Sequence, residues 1–207
     1  MIKAILIDCG GVLLPLPTPL VCNELAVRYD KDGIRLDQIM RKILDESFDL
    51  GKINEEEFVD SFIMESDLMQ AEPEEIKKLW RFFLAVDPEM ITWIKEKRKK
   101  YPVYLSSNIS KEYAEFLTKK YDFTKLFDKL FMSWQMGKRK PDTAFFEIIM
   151  KTLAEKNILP AEMMFIDDRI ENIETARKEG IQTIHFQNKK QFMQDFEKIE
   201  KELGGII

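Results

Sequence analysis

Hydrophobic residues near the start of the chain and in its second half are grouped in short runs that predict buried β-strands. The four clearest runs cover residues 4–7, 103–105, 163–166 and 183–186, and polar or turn-forming residues follow most of them. A weaker strand candidate covers residues 129–134. Helical patterns lie between or after the runs, at residues 111–121, 143–155, 170–179 and 190–203. This alternation predicts an α/β fold with a parallel sheet that is covered by helices on both faces.

The segment 15–87 interrupts the alternation of strands and helices. It contains no convincing strand, and its Leu, Met and Phe residues recur at helical spacing. Pro15, Pro17 and Pro19 predict an irregular hinge at its entrance, and Pro88 marks its exit. We therefore expect a core formed by residues 1–14 and 88–207 and a separate helical unit formed by residues 15–87.

Length, charge and cysteine content narrow the classes of function. A chain of 207 residues fits one large domain or a core with one insertion. Its 32 Lys and Arg against 37 Asp and Glu give a net charge of −5, which disfavours nucleic acid and anionic membrane surfaces as partners. Cys9 and Cys22 are too few for a disulfide framework and favour a reducing, cytoplasmic compartment. No apolar stretch is long enough to predict a membrane span, and both a monomer and a homodimer remain open.

Polar side chains follow three of the predicted strands, at the point where each strand ends. Asp8 follows the first strand, Ser107 and Asn108 follow the second, and Asp167 and Asp168 follow the third. Ligands of open parallel sheets bind in the crevice beyond the carboxyl ends of the strands. We therefore expect these five side chains to converge at one edge of the sheet.

Lys140 lies in the loop GKRKPD, which opens a predicted helix, and it would join the same edge. Clustered carboxylates repel one another, and a ligand set made of oxygen atoms alone points to Mg²⁺. With that charge neutralised, Asp8 could attack phosphorus and form an aspartyl-phosphate. Lys140 would balance the developing negative charge, while Ser107 and the backbone N–H groups of Cys9 and Gly10 would bind the phosphoryl oxygens. Small phosphorylated metabolites are the substrates expected for such a site, and Asn108 is a further residue expected to bind them.

Two of these assignments have neighbouring alternatives. Ser106 competes with Ser107, but Ser107 and the following Asn come directly after the last apolar residues. Lys138 and Arg139 compete with Lys140, but only Lys140 precedes a proline. These positions favour Ser107 and Lys140.

Four motifs, ILIDCGGVL, VYLSSN, GKRKPD and FIDDRIEN, occur in this order along the chain. Together they resemble the haloacid dehalogenase-like (HAD) hydrolase superfamily. The resemblance implies a Rossmann-like core with an inserted α-helical cap domain, which would be the segment 15–87. The chain is most similar to the small sugar-phosphate phosphatases of this superfamily, including α-D-glucose-1-phosphate phosphatases.

The resemblance also implies how Mg²⁺ would be bound. Its ligands would be Asp8, the backbone carbonyl of Gly10 and the Asp167–Asp168 pair. Asp168 would contact the ion directly, while Asp167 would bind it or orient Lys140.

The first motif departs from the superfamily pattern at one position. The usual motif is Asp-x-Asp, in which the second Asp protonates the leaving group and later activates water, and here that position is Gly10. Without this acid, a poor alkoxide leaving group would depart slowly. We therefore expect a preference for substrates with better leaving groups, such as anomeric, acyl or aryl phosphates.

Two other functions remain open at this stage. The first is a hydrolytic 2-haloacid dehalogenase of the same superfamily, which also lacks the second Asp and needs no metal. The paired Asp167 and Asp168 favour the phosphatase over it. The second is a non-catalytic relative that binds a phosphorylated ligand, and Gly10 is its sole support.

Overall fold

The computed structural model describes residues 1–204 and contains one five-stranded sheet in the order β3-β2-β1-β4-β5. All neighbouring strands run parallel. The strands are β1 Ala4–Ile7, β2 Val103–Ser107, β3 Lys129–Met132, β4 Met163–Asp167 and β5 Gln182–His185. The predicted parallel α/β sheet is therefore confirmed, with each strand within two residues of its predicted position.

Four helices and a 3-10 turn follow β1 before the chain returns to the sheet. They are α1 Pro17–Tyr29, α2 Gly33–Glu46, the turn Phe48–Leu50, α3 Glu55–Glu65 and α4 Pro73–Phe83. The expectation of an irregular hinge through Pro19 is wrong, because α1 already begins at Pro17. Proline is tolerated in the first turn of a helix, where no N–H is needed.

The connections into and out of this helical segment lie side by side. The N–H of Asp87 donates to the carbonyl oxygen of Leu13 at 2.7 Å. The hydroxyl of Tyr121 accepts from the N–H of Val86 at 3.1 Å and holds the return connection in place. The division into a core and a cap remains a prediction, but the segment leaves and re-enters the sheet at neighbouring points.

The remaining helices cover the sheet. They are α5 Pro88–Lys97, α6 Lys111–Tyr121, α7 Phe123–Leu126, α8 Ser133–Met136, α9 Thr143–Ala154, α10 Ile170–Lys178 and α11 Lys189–Gly204. The strand predicted over 129–134 ends at Met132, because Ser133 begins α8 and its side chain bonds to the backbone of Ile109. Short apolar runs fit both strands and buried helices, which explains the error.

Capping residues fix several helix starts. The side chain of Asp32 accepts from the N–H of Ile34 at 2.9 Å at the start of α2. Asn54 and Glu57 form a reciprocal capping box at the start of α3. Such caps satisfy N–H groups that have no partner within the helix and contribute about 1 kcal/mol each.

Two hydrophobic clusters hold the layers together. Phe145, Phe146 and Phe165 belong to the cluster on one face of the sheet. The cluster on the other face is continuous with the helical segment and includes Phe48 and Phe58, whose rings stack at 4.4 Å. The hydrophobic core is therefore continuous from the sheet into the helical segment. Among residues 1–204, no helix combines the length and hydrophobicity that a membrane crossing requires.

Candidate active site

The carboxyl ends of the central strands bring three acidic side chains together. Asp8 follows β1, Asp167 ends β4, and Asp168 comes next along the chain. One carboxylate oxygen from each residue lies within 4.8 Å of the other two. The predicted convergence of these residues at one sheet edge is therefore observed.

Lys140 lies at the centre of this acidic cluster and is buried. Its Nζ lies 2.9 Å from Asp8 Oδ1 and 2.7 Å from Asp167 Oδ2, and it donates to the carbonyl oxygen of Ser106 at 2.7 Å. These contacts point the ammonium group at the nucleophile candidate. Three carboxyl groups face this one ammonium, so their full ionisation would leave negative charge uncompensated.

Asn108 fixes the loop that carries Lys140. Its Oδ1 accepts from the N–H of Lys140 at 2.9 Å, and its Nδ2 donates to the carbonyl oxygen of Lys140 at 2.8 Å. Asn108 was expected to bind substrate, but both ends of its amide hold this loop instead. Ser107 lines the cavity, and its Oγ makes only a long 3.4 Å bond to the carbonyl oxygen of Asn108. Ser107 therefore remains available to a ligand.

Asp167 and Asp168 differ in their hydrogen bonds. Asp167 is saturated: Oδ1 accepts from the N–H of Arg169 and from Asn172 Nδ2, each at 2.9 Å, and Oδ2 contacts Lys140. Asp168 lines the cavity, and its Oδ1 is buried with no hydrogen-bond partner within residues 1–204. Asp167 therefore orients Lys140, and Asp168 keeps an oxygen free for a cation.

The buried charges shift one another's pKa values. Burial raises the pKa of Asp8 to about 8; Lys140 opposes this shift, and Asp167 and Asp168 add to it. Burial and the neighbouring Asp167 also raise the pKa of Asp168. Burial alone would lower the pKa of Lys140, but Asp167 and Asp8 outweigh it and raise that pKa. Lys140 is therefore charged, and the carboxylates need a further cation to ionise together.

The backbone after Asp8 approaches the acidic cluster closely. The N–H of Cys9 donates to Asp8 Oδ1 at 2.7 Å, so in this arrangement it orients the nucleophile candidate. The Cys9 thiol is buried and burial raises its pKa, as expected of a packing residue. Gly10 lines the cavity, and its carbonyl as a metal ligand remains a prediction.

Gly11 is a site residue that the sequence analysis missed. Its φ of 76° lies in the left-handed region. A Cβ at this position would lie 2.2 Å from Asp168 Oδ2. The two consecutive glycines in the motif that contains Asp8 are the sequence feature that could have pointed to this residue.

A cavity of about 230 Å³ opens above the acidic cluster. Its apolar wall includes Leu44, Trp80, Leu84, Ile109, Tyr113 and Leu117. Polar residues of the helical segment also line it, namely Arg41, Asp45 and Asp49. Arg139 forms an ion pair with Asp45 across the cavity wall. No motif in the sequence marks Arg41, Asp45 or Asp49 as part of the site.

The residues present fit Mg²⁺. Asp8 and Asp168 supply carboxyl oxygens at the cavity, and one oxygen of Asp168 has no other partner among the described residues. Full ionisation of the cluster would leave negative charge for a cation to balance. Oxygen ligands of this kind suit a hard divalent cation. When bound, Mg²⁺ would neutralise this charge and polarise a phosphoryl oxygen.

Comparison with known proteins places the chain in a family. A family model described as haloacid dehalogenase-like hydrolase matches residues 2–180. The chain is 29% identical to D-ribitol-5-phosphate phosphatase of Bacteroides thetaiotaomicron, over 94% of this chain and 97% of that protein. It is also 29% identical to the sesquiterpene phosphatase astK of Aspergillus oryzae, over 88% of this chain and 89% of that protein.

A similar solved structure is a HAD family enzyme of Bacteroides thetaiotaomicron, a single-residue variant in complex with magnesium and inorganic phosphate. It is 26% identical with a TM-score of 0.72, and the match covers 89% of this chain and 93% of that one. The family match spans most of the chain and includes all four motifs. The chain therefore belongs to the haloacid dehalogenase-like hydrolase family.

Proposed function

We propose that this protein is a Mg²⁺-dependent phosphatase that hydrolyses small phosphomonoesters, such as sugar phosphates, through an aspartyl-phosphate intermediate. The observation that carries the proposal is the buried cluster of Asp8, Asp167, Asp168 and Lys140 at the floor of a cavity. When ionised together, these carboxylates would bind a divalent cation, which would make the cavity able to accept a phosphate dianion.

Each residue has a distinct task in the proposed reaction. Asp8 attacks phosphorus through a carboxylate oxygen, and the phosphoryl group is transferred to it from the leaving oxygen. Lys140 stabilises the negative charge that spreads over the phosphoryl oxygens, and Ser107 donates a hydrogen bond to one of them. Water then hydrolyses the aspartyl-phosphate and restores Asp8.

Similar proteins and the size of the cavity support a small phosphorylated metabolite as the substrate. Two similar proteins are named as phosphatases, one of them for a five-carbon polyol phosphate. The cavity of about 230 Å³ is smaller than the ~300–1,000 Å³ typical of sites for drug-sized ligands. Anomeric phosphates are included because Gly10 supplies no acid, which favours better leaving groups unless another residue donates the proton.

The helical segment 15–87 is proposed to act as a cap that selects the leaving group. Arg41, Asp45 and Asp49 line the cavity from this segment.

The proposed cytoplasmic location rests on the cysteine content alone. Cys9 and Cys22 are both free and buried.

A dehalogenase is the second candidate, and the acidic cluster argues against it. Displacement of halide from carbon needs a nucleophilic carboxylate but no metal. Such a reaction would leave the oxygen of Asp168 that has no partner among the described residues, beside Asp8, without a function. Removal of divalent cations with a chelator separates the two functions, because only the phosphatase loses its activity.

Phosphate release from a panel of phosphorylated metabolites and 4-nitrophenyl phosphate tests the proposal. We expect turnover with Mg²⁺, none after chelation, and none in Asp8→Asn at any Mg²⁺ concentration. Lys138→Met is the matched control, since Lys138 is exposed in the same loop as Lys140. Turnover that persists in Asp8→Asn would refute the role of Asp8, and a wild-type protein that binds phosphate without turnover would indicate a non-catalytic relative.

A further inference from the structure

Asp49 reaches the cavity from the 3-10 turn between α2 and α3, and this turn is tied to the floor of the site. Ser133 Oγ donates to the carbonyl oxygen of Asp49. The same Oγ accepts from the N–H of Ile109 at 2.9 Å. Ile109 directly follows the Ser107–Asn108 motif at the end of β2, and β2 pairs with β1 beside Asp8. The position of Asp49 is thus linked to the strand ends that carry the proposed phosphoryl site.

Apolar contacts hold the same turn on its other side. Phe48 is fully buried, stacks on Phe58 at 4.4 Å and meets the ring of Tyr113 edge-on at 5.3 Å. Gly51 closes the turn with a φ of 67°, and its N–H donates to the carbonyl oxygen of Phe48 at 3.0 Å. A side chain carried by a turn fixed on both sides is suited to a precise role.

Asp49 is the acidic residue of the cavity wall that has no task yet. Asp8 and Asp168 belong to the acidic cluster. Asp45 is paired with Arg139. Within residues 1–204, the carboxyl group of Asp49 forms neither an ion pair nor a hydrogen bond. It is therefore free to interact with a ligand in the cavity.

The surroundings of Asp49 also suit proton transfer near neutral pH. Burial raises the pKa of Asp49 to about 7, while Arg139 opposes this shift and Asp45 from α2 adds to it. Tyr113 from α6 is neutral, because burial raises the pKa of its hydroxyl well above the usual value. The packed helix α8 contributes no titratable group. An acid of this strength can release a proton and recover it at the same pH.

We propose that Asp49 donates the proton to the leaving oxygen, the task for which Gly10 has no side chain; this inference rests on the proposed phosphatase function. As Asp8 bonds to phosphorus, the bond from phosphorus to the leaving oxygen breaks. The leaving oxygen keeps that electron pair and takes the proton of the Asp49 carboxylic acid. The products of this step are a free alcohol and the Asp49 carboxylate. In the second half, this carboxylate accepts a proton from the water that attacks the aspartyl-phosphate, and phosphate is released.

The test compares phenyl phosphate with 4-nitrophenyl phosphate in wild type and Asp49→Asn. The two substrates are similar in shape, but 4-nitrophenolate departs without a proton and phenolate does not. We expect kcat/KM for phenyl phosphate, which reports the steps up to phosphoryl transfer, to fall about 10²- to 10⁴-fold in the variant. The kcat/KM for 4-nitrophenyl phosphate should fall far less, while hydrolysis of the aspartyl-phosphate, which both substrates share, does not enter this comparison. Asp49→Glu, which keeps a carboxylic acid, should recover part of the loss.

Tyr113→Phe is the matched control, because Tyr113 Oη belongs to the same cavity wall and is buried without a hydrogen-bond partner among the described residues. Its ratio of the two kcat/KM values should equal that of wild type. A ratio changed in Tyr113→Phe but not in Asp49→Asn would overturn the assignment, as would an equal loss of kcat/KM on both substrates in Asp49→Asn. If wild type hydrolyses both and Asp8→Asn neither, that failure concerns Asp49 alone. If wild type releases phosphate from neither aryl phosphate nor from any metabolite of the panel, the phosphatase function and this inference fail together.

Discussion

Replacing Lys140 with Met is expected to destabilise the protein strongly. Methionine keeps an unbranched side chain but removes three buried contacts of 2.7–2.9 Å with Asp8, Asp167 and the carbonyl oxygen of Ser106. Removal of one partner from a buried ion pair costs about 3–5 kcal/mol. In a chain of this size, about 1 kcal/mol shifts the melting temperature by about 2–4 °C. The expected decrease in melting temperature without metal is therefore about 6–20 °C.

Thermal unfolding followed by circular dichroism at pH 8 measures this decrease. Lys138→Met is again the control, and its free energy of unfolding should stay within about 0.5 kcal/mol of wild type. Added Mg²⁺ should restore part of the loss in Lys140→Met, because it replaces the missing positive charge. At pH 5 the loss should shrink, because protonated carboxyl groups need no counter-charge. Equal melting temperatures of the two variants at pH 8 would refute the view that the Lys140 ammonium compensates the acidic cluster.

Two further substitutions test other contacts. Gly11→Ala should weaken Mg²⁺ binding measured by calorimetry, because its Cβ would collide with Asp168. Gly137→Ala is the control: Gly137 also has a positive φ, but a Cβ there would meet no described atom within 4 Å, so Mg²⁺ affinity should not change. Burial would raise the pKa of Glu200, but hydrogen bonds from Lys97, Lys100 and Tyr101 lower it to about 2. Because the pKa is lowered in the folded state, the ionised Glu200 stabilises the fold above about pH 5, and this stabilisation is lost as the pH falls towards 2. Glu200→Gln should remove about 1 kcal/mol at pH 7 and flatten that part of the stability profile; an unchanged profile would show that the pair contributes nothing.

The sequence was informative where local pattern and topology coincide. Asp8, Ser107 and Asp167 each follow or end a buried apolar run, and parallel strands bring such positions to one edge. The proline that follows Lys140 distinguishes it from the two cationic residues before it. The structure buries it between Asp8 and Asp167, whereas Lys138 is exposed.

The residues that the sequence analysis missed depend on packing between distant parts of the chain. Asp49 meets Ser133 across 84 positions, and no periodicity signals such a contact. The collision between a Cβ at Gly11 and Asp168 depends on how β1 and β4 end relative to each other. Asn108 illustrates a different limit, because its identity suggested a ligand contact while both ends of its amide fasten a neighbouring loop.

The hydrogen bond between the N–H of Asp87 and the carbonyl oxygen of Leu13 bears on how this architecture can change over evolution. Because the two ends of the intervening helical segment lie next to each other, the distance between them does not depend on what the segment contains. Helices can be gained, lost or exchanged between these positions without moving the strands that carry the catalytic candidates. Under the proposed role of this segment as a cap, a lineage could acquire a new leaving-group preference while it keeps the same phosphoryl chemistry.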